Sequence, residues 1–314
     1  MIKVYSTCPR PPDMSARDYV AAIKNVAAWS ERAGLCGMLV HADDAQVDPW
    51  LLAQVVIESS ERLRPLVAVR PEHLHPYTMA KTVSSLAFLH GRPVHLNMLA
   101  AGIRGEPLGA GGGTSHDKRY AQTVEYVNLA MGLMRGECVT LAGEYYAVTN
   151  LRLTPAIPDG LLPEIIISGS SPAAMAAARA IGATAVKHPA PPGAEQTWLD
   201  AADRRFGVRI GIVARADSDE AWRIAHERFP GHRREWIGRR VTMTGKADGY
   251  WLDPFHDNQA PCPYLVGTYE AVAQMIAHYV VLGSRTFILD VPPSENELAH
   301  VNLVFDAAQE LAVA

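Results

Sequence analysis

The chain has 314 residues, of which 48% are apolar and 20% charged, enough to bury a large core without disulfide or metal staples. Its 29 lysines and arginines against 33 aspartates and glutamates leave a net charge of -4, without the basic surplus that a nucleic-acid backbone or an anionic membrane requires. No run approaches the roughly 18 uncharged apolar residues of a membrane-spanning helix.

Strand-like alternation starts at once, over residues 2–6. Ser15 caps a helix whose inward positions are read as Val20, Ile23, Val26, Ala27 and Ser30, and Gly34 ends it. A second strand over 37–41 leads to a helix over 49–60, with Asp48 as its cap. A third strand over 66–69 leads to a helix that Pro76 opens, and a fourth over 94–99 runs into a glycine-rich loop. A long helix spans 116–135, and residues 144–153 form an extended excursion. Strands over 165–168, 184–187, 208–214 and 286–291 follow, with helices over 172–180, 198–205, 219–228, 268–282 and 295–312 between and after them. Residues 230–262 read as irregular.

Eight strands separated by helices imply βαβ units and a parallel sheet. That number favours a closed (β/α)8 TIM barrel, class α/β, over an open sheet, and no G-x-G-x-x-G follows the first strand. No composition break marks a second domain, so residues 1–314 are read as one domain. Loop 101–115 and insertion 230–262 are longer than ordinary connections and are expected at the C-terminal face, the second as a lid. Four scattered cysteines without a C-x-x-C pair, and a start lacking a signal sequence, fit a cytoplasmic protein.

Two helix starts look ready for an anion. In Ser115-His116-Asp117-Lys118-Arg119-Tyr120, the imidazole of His116 and the phenol of Tyr120 share one helix face beside a serine cap. In Ser168-Gly169-Ser170-Ser171-Pro172, a strand runs into hydroxyls at a first helical turn. A capped helix is the plain alternative for each, and together they suggest a phosphorylated ligand. Arg70, His73 and His75 follow the third strand, and Asn97 lies near the end of the fourth. No carboxylate or cysteine cluster accompanies the two histidines, so no metal is assigned. Neither a nucleophile elbow nor a P-loop is present.

The order of these motifs resembles the luciferase-like flavin monooxygenases, and within them most closely the alkanesulfonate monooxygenases. The resemblance is carried by 66–71 and 206–215 as third and seventh strands, by 265–268 and 282–289 as the last helix–strand unit, and by the two helix starts. It implies a barrel that holds reduced FMN (FMNH2) supplied by a separate NAD(P)H:flavin reductase. One atom of O2 would pass to a small organic substrate through a C4a-(hydro)peroxyflavin, in a homodimer or homotetramer. Carried over by position, His116, Tyr120, Gly169, Ser170 and Ser171 would hold the phosphate. Asn97 would lie under the ring, with the Ala68 and Val69 backbone beside it, and Arg209 would be the catalytic cation.

The substrate half departs from the sulfonate pattern. The cysteine of that group falls on Gln46, its histidine on Gly211, its lid arginine near Asn258, and its late tyrosine near Val291 or Pro292. Losing charge-assisted donors worth about 1.5–3 kcal/mol each argues against a sulfonate substrate. His41, Gln46, His73 and Asn258 are the expected pocket residues. A deazaflavin-dependent oxidoreductase on the same barrel, or a non-catalytic flavin-binding protein, are the alternative functions.

Overall fold

The computed structural model describes residues 2–10, 14–42, 47–100, 115–158, 160–192, 194, 206–230 and 249–313. In chain order the elements are β1 (Lys3–Thr7), α1 (Ala16–Arg32), β2 (Gly37–Val40), α2 (Pro49–Glu58), β3 (Arg64–Val69), α3 (Pro76–His90), β4 (His95–Leu99), α4 (His116–Met134), β5 (Val139–Ala142), β6 (Ala147–Leu151), β7 (Ile165–Ser168), α5 (Pro172–Ala180) and β8 (Thr184–Lys187). Then come β9 (Phe206–Arg215), α6 (Ser218–Arg228), β10 (Tyr250–Trp251), α7 (Asp253–His256), β11 (Tyr264–Thr268), α8 (Tyr269–Val281), β12 (Ser284–Leu289) and α9 (Glu295–Val313). These divide into a larger unit, Cys8–Glu31 with Cys36–Val186, and a smaller one, Met1–Thr7 with Arg32–Leu35 and Lys187–Ala314. Among the described residues, no helix is long and apolar enough to cross a membrane.

In the larger unit, β2, β3, β4, β7 and β8 run parallel in that order. Alternate residues of a strand point to opposite faces, so one face of this ladder belongs to the helices. Val67, Val69, Leu96, Met98, Ile167 and Ala185 take that face and bury against Met79, Val83, Tyr126 and Leu133 of α3 and α4. Asn97 and Ala68 are paired in register and also buried, but they lie outside this apolar cluster and point to the other face.

Between α4 and β7 the chain makes an antiparallel hairpin, β5–β6. The Glu125 carboxylate accepts backbone N–H bonds from Glu144, Tyr145 and Tyr146 at 3.0, 3.1 and 2.6 Å and so ties the hairpin turn to α4. A Cβ at Gly143 would collide with that carboxylate, which makes glycine the residue that fits there. The Tyr146 hydroxyl donates to the Pro71 carbonyl at 3.3 Å, just past β3, and accepts from the Gln122 amide at 3.1 Å.

In the smaller unit β1, β12 and β9 are parallel neighbours. The ten-residue β9 pairs with β12 along its first half and with β11 along its second, from Gly211 to Arg215. Phe206, Val208, Ile210 and Ile212 of β9, with Phe287 and Leu289 of β12, pack on α8 and α9. Arg209 and Gly211 therefore face away from those helices.

Several expectations need correcting. On α1 it is Tyr19 that joins Ile23, Val26, Ala27 and Ser30 in the core, while Val20, about 100° round the helix, is 37% exposed. The second strand stops at Val40 and the last at Leu289, short of the turns that follow. The excursion expected at 144–153 is the second half of a hairpin whose first strand, β5, alternates half-buried and exposed residues but is only four residues long. Residues 230–262 are not wholly irregular, since β10 and α7 lie within them, and β11 follows where only a helix start was expected. The helix expected at 198–205, most of loop 101–115 and residues 231–248 lie outside the described residues.

Candidate functional site

The two helix starts singled out by sequence are brought together inside the larger unit. Ser115 caps α4 by accepting the Lys118 N–H at 3.4 Å, and Ser171 caps α5 by accepting the Ala174 N–H at 3.2 Å. Tyr120, one turn into α4, is 2% exposed, and its hydroxyl is hydrogen-bonded to that of Ser171. Burial pushes its phenol pKa up, opposed by the Ser171 bond and the Arg119 charge. At Gly169 a Cβ would strike this hydroxyl and would lie 2.9 Å from the Ala174 Cβ, so glycine lets the two helix starts close on each other.

His116 is exposed and packs edge-on against the Tyr120 ring, 5.0 Å between centroids, with Nδ1 3.0 Å from the Asp117 carboxylate. Ser170 is exposed and directly precedes Ser171, the α5 cap. The Arg119 guanidinium donates to the Ala100 carbonyl at 2.7 Å and fixes the start of α4 to the end of β4. Backbone N–H groups of two helix N-termini, an imidazole and serine hydroxyls are a donor set suited to a phosphate. These residues fit the phosphate end of a flavin mononucleotide.

On the strand face opposite the helices, the Ser168 hydroxyl donates to the Asn97 side-chain oxygen at 2.8 Å across β7 and β4. That bond leaves the Asn97 amide N–H group as the donor for a ring laid on this face. Ala68 shares the face, whereas the Val69 side chain is turned into the helix-facing core and has only its backbone to offer.

His41 and Arg70 are buried just past β2 and β3, and His73 beyond them is exposed. His75 is a helix cap, its ring nitrogen accepting the Tyr77 N–H at 3.2 Å, and Asp48 caps α2 as expected. Asn258 sits on an exposed turn with φ of 57°, a left-handed conformation that asparagine tolerates well. Gln46 and the arginines of 231–248 fall outside the described residues.

The smaller unit holds a second polar group that the motifs did not reveal. Tyr264 is paired in register with Gly211, and its ring fills the space a Cβ at Gly211 would need. From there its hydroxyl reaches over β9 to donate to the Asp290 carboxylate at 2.5 Å, at the end of β12. The other Asp290 oxygen accepts the Val291 N–H at 2.7 Å. Burial, and then the negative Asp290, push the Tyr264 phenol far up, so it stays protonated as a donor. A cavity of about 30 Å³ adjoins the pair, walled by Arg228, Tyr264, Asp290 and Glu297.

Near Arg209, the His188 ring packs on Phe255 at 4.4 Å and donates to the Pro261 carbonyl. Desolvation, then the Arg209 charge, push its pKa down to about 4. Above pH 6.5 His188 is neutral folded or unfolded. Below that the unfolded chain takes up the proton first, so stability falls from about pH 6.5 to about pH 4. Denaturant titrations across that range should show a shallower acid slope for His188→Gln than for the unmodified chain.

Comparison with known proteins gives a consistent picture. The family model described as luciferase-like monooxygenase matches residues 2–286. A curated monooxygenase of Niallia circulans, BtrO, which acts on 4-(gamma-L-glutamylamino)butanoyl-[BtrI acyl-carrier protein], is 29% identical across 92% of this chain and 91% of its own. The long-chain alkane monooxygenase LadA superposes with a TM-score of 0.73 at 14% identity, covering 98% of this chain and 91% of that one. The oxygenating constituent of the 3,6-diketocamphane monooxygenase of Pseudomonas putida, solved with FMN, gives 0.72 at 17% identity over 98% of each chain. The chain has their (β/α)8 barrel fold and belongs to the luciferase-like monooxygenase family of enzymes.

Proposed function

We propose that the chain is the oxygenase half of a two-component, FMNH2-dependent monooxygenase acting on a small organic molecule in the cytoplasm. A separate NAD(P)H:flavin reductase is the expected partner and a homodimer or homotetramer the expected assembly. The observation that carries this reading is the Tyr120–Ser171 bond, which draws two anion-ready helix starts to one place beside Gly169.

When bound, reduced FMN would supply the two electrons that activate O2, one atom of which passes to the substrate and the other to water. The remaining work belongs to the protein. His116, Ser170, Ser171 and the N-terminal N–H groups of α4 and α5 bind the phosphate, with Tyr120 and Gly169 setting their spacing. Asn97, oriented by Ser168, donates to the ring, and the Ala68 and Val69 backbone lies beside it. Arg209 offers a fixed guanidinium to negative charge that develops during oxygen transfer. We assign the substrate side to His41, Gln46, His73 and Asn258, and a water-excluding role to insertion 230–262.

The test is an anaerobic titration with FMNH2 followed by admission of O2, with and without an added reductase. Tight binding of FMNH2, weak binding of oxidised FMN and O2 consumption only with the reductase are expected. Direct NADPH oxidation by the chain alone would overturn the reading. Reduction without O2 uptake would select the deazaflavin alternative, and stoichiometric flavin without product the silent binder. His116→Ala should weaken FMNH2 binding about tenfold, the loss of one hydrogen bond to a charged group. Arg209→Ala should lower turnover and leave that affinity unchanged.

A further inference from the structure

The hairpin β5–β6 lies in the chain between α4 and β7, and one side chain beside it touches two parts of the larger unit's site. Tyr146 directly precedes β6. Its backbone N–H is held by the Glu125 carboxylate of α4 at 2.6 Å, so the side chain projects from a fixed base. The ring packs edge-on against Tyr126 of α4 and against His75, the α3 cap, each at 5.8 Å between centroids. The hydroxyl donates to the Pro71 carbonyl at 3.3 Å and accepts from the Gln122 amide at 3.1 Å. Burial pushes the phenol pKa up, opposed by the Gln122 bond, so the hydroxyl stays protonated as a donor.

These two partners belong to different ends of the proposed flavin site. Gln122 is two residues past Tyr120, about 3 Å further along α4. Pro71 is two residues past Val69, whose pairing with Met98 is the last of the β3–β4 ladder. Beyond that pairing the sheet no longer fixes the chain. The bond from the His73 N–H to the Arg70 carbonyl, at 3.1 Å, shapes the turn from within but does not tie it to α4. Arg119 ties α4 to the end of β4 through the Ala100 carbonyl. The Tyr146 hydroxyl makes the corresponding tie to the turn after β3.

A ligand gripped at two ends binds more tightly than at either alone, because the second contact forms at a high effective concentration. That advantage shrinks when the two ends are out of register, although each still accepts its own part of the ligand. We infer that Tyr146 is a positioning residue: by bonding Gln122 and Pro71 at once, it keeps the phosphate end at the start of α4 in register with the ring end at β3. The inference rests on the reading that this unit holds reduced FMN, and it adds to that site a residue that none of the sequence motifs contains.

Tyr146→Phe keeps the ring contacts and removes only the hydroxyl. Three probes are titrated anaerobically, well below the unfolding midpoint of each sample. They are FMNH2, reduced riboflavin, which lacks the phosphate, and inorganic phosphate, read as a competitor of FMNH2. Tyr146→Phe should bind FMNH2 about threefold to tenfold more weakly, the scale of one lost hydrogen bond. Reduced riboflavin and inorganic phosphate should stay within about twofold of the unmodified chain. Gln122→Met removes the amide that donates to the hydroxyl and leaves the bond to Pro71, so the same pattern should appear at about twofold to threefold. A residue that merely supports the fold would lower the unfolding midpoint without changing the ratio of FMNH2 to riboflavin affinity. An unchanged ratio in Tyr146→Phe would overturn the inference. Inorganic phosphate weakened as much as FMNH2 would overturn it too, since the hydroxyl would then serve the phosphate site itself. The unmodified chain separates the two readings. If it binds FMNH2, an unchanged ratio refutes the positioning role alone; if it does not bind FMNH2 at all, the oxygenase reading itself fails.

Discussion

Gly169→Ala is expected to weaken FMNH2 binding at least tenfold and to destabilise the fold by about 1–3 kcal/mol, the usual cost of overpacking. The added methyl would strike the Tyr120 hydroxyl on one side and stand 2.9 Å from the Ala174 Cβ on the other. Neither neighbour gives way cheaply. Ala174 is 0% exposed within the first turn of α5, and Tyr120 is fixed by Ser171 at its hydroxyl and by His116 at its ring. The strain is relieved only by parting the starts of α4 and α5, which spreads the donors that would grip a phosphate. Removing the Tyr120 hydroxyl as well, in Gly169→Ala with Tyr120→Phe, should recover part of the stability but not the affinity. Thermal unfolding and anaerobic flavin titration measure the two effects. Unchanged affinity in Gly169→Ala would remove this pair of helix starts from the phosphate site.

Glu297→Ala is expected to cost about 3–5 kcal/mol, the scale for breaking a buried ion pair by deleting one partner. Glu297, near the start of α9, receives Arg215 from the end of β9 and Arg228 from the end of α6, the latter at 3.0 Å. Arg215 is 7% exposed, so deletion strands a cation where water cannot replace the lost partner. Glu297→Gln, which keeps the acceptor oxygen and loses the charge, should fall between the unmodified chain and alanine. Urea unfolding followed by circular dichroism reads all three. A loss below about 1 kcal/mol for alanine would mean that the trio is screened like a surface pair.

Much of this was written locally in the chain. Ser115, Ser171 and Asp48 cap their helices as their positions indicated, because a cap is settled by residues within one turn. The strands β7 and β8 run over the expected residues for a similar reason, since short apolar runs between turn signals leave few alternatives. Tyr264–Thr268 was missed because its few apolar residues, broken by Gly267, run straight into the helix that Thr268 caps. Its strand partners are the second half of β9, some fifty residues away in sequence, and the two-residue β10. The choice of Tyr19 over Val20 turns on a rotation of about 100° between neighbouring positions, both of which carry large side chains able to face inward.

The two candidate sites differ in the same way. His116, Tyr120 and Ser171 are legible because each belongs to a helix start. Tyr264 and Asp290 become a pair only when Gly211 lets one side chain cross a strand. The available signal was a carboxylate directly after a strand, at the end where barrels carry their chemistry.

The way Glu125 holds the β5–β6 turn has a consequence for handling the protein. Exposed turns are where proteases nick a folded chain, and cleavage needs the local backbone to peel away from its neighbours. Here three successive N–H groups, from Glu144 to Tyr146, are already committed to one carboxylate. This turn is therefore a poor place for chymotrypsin-like enzymes to enter, despite carrying two adjacent tyrosines. An affinity tag or labelling sequence spliced into it would forfeit that protection.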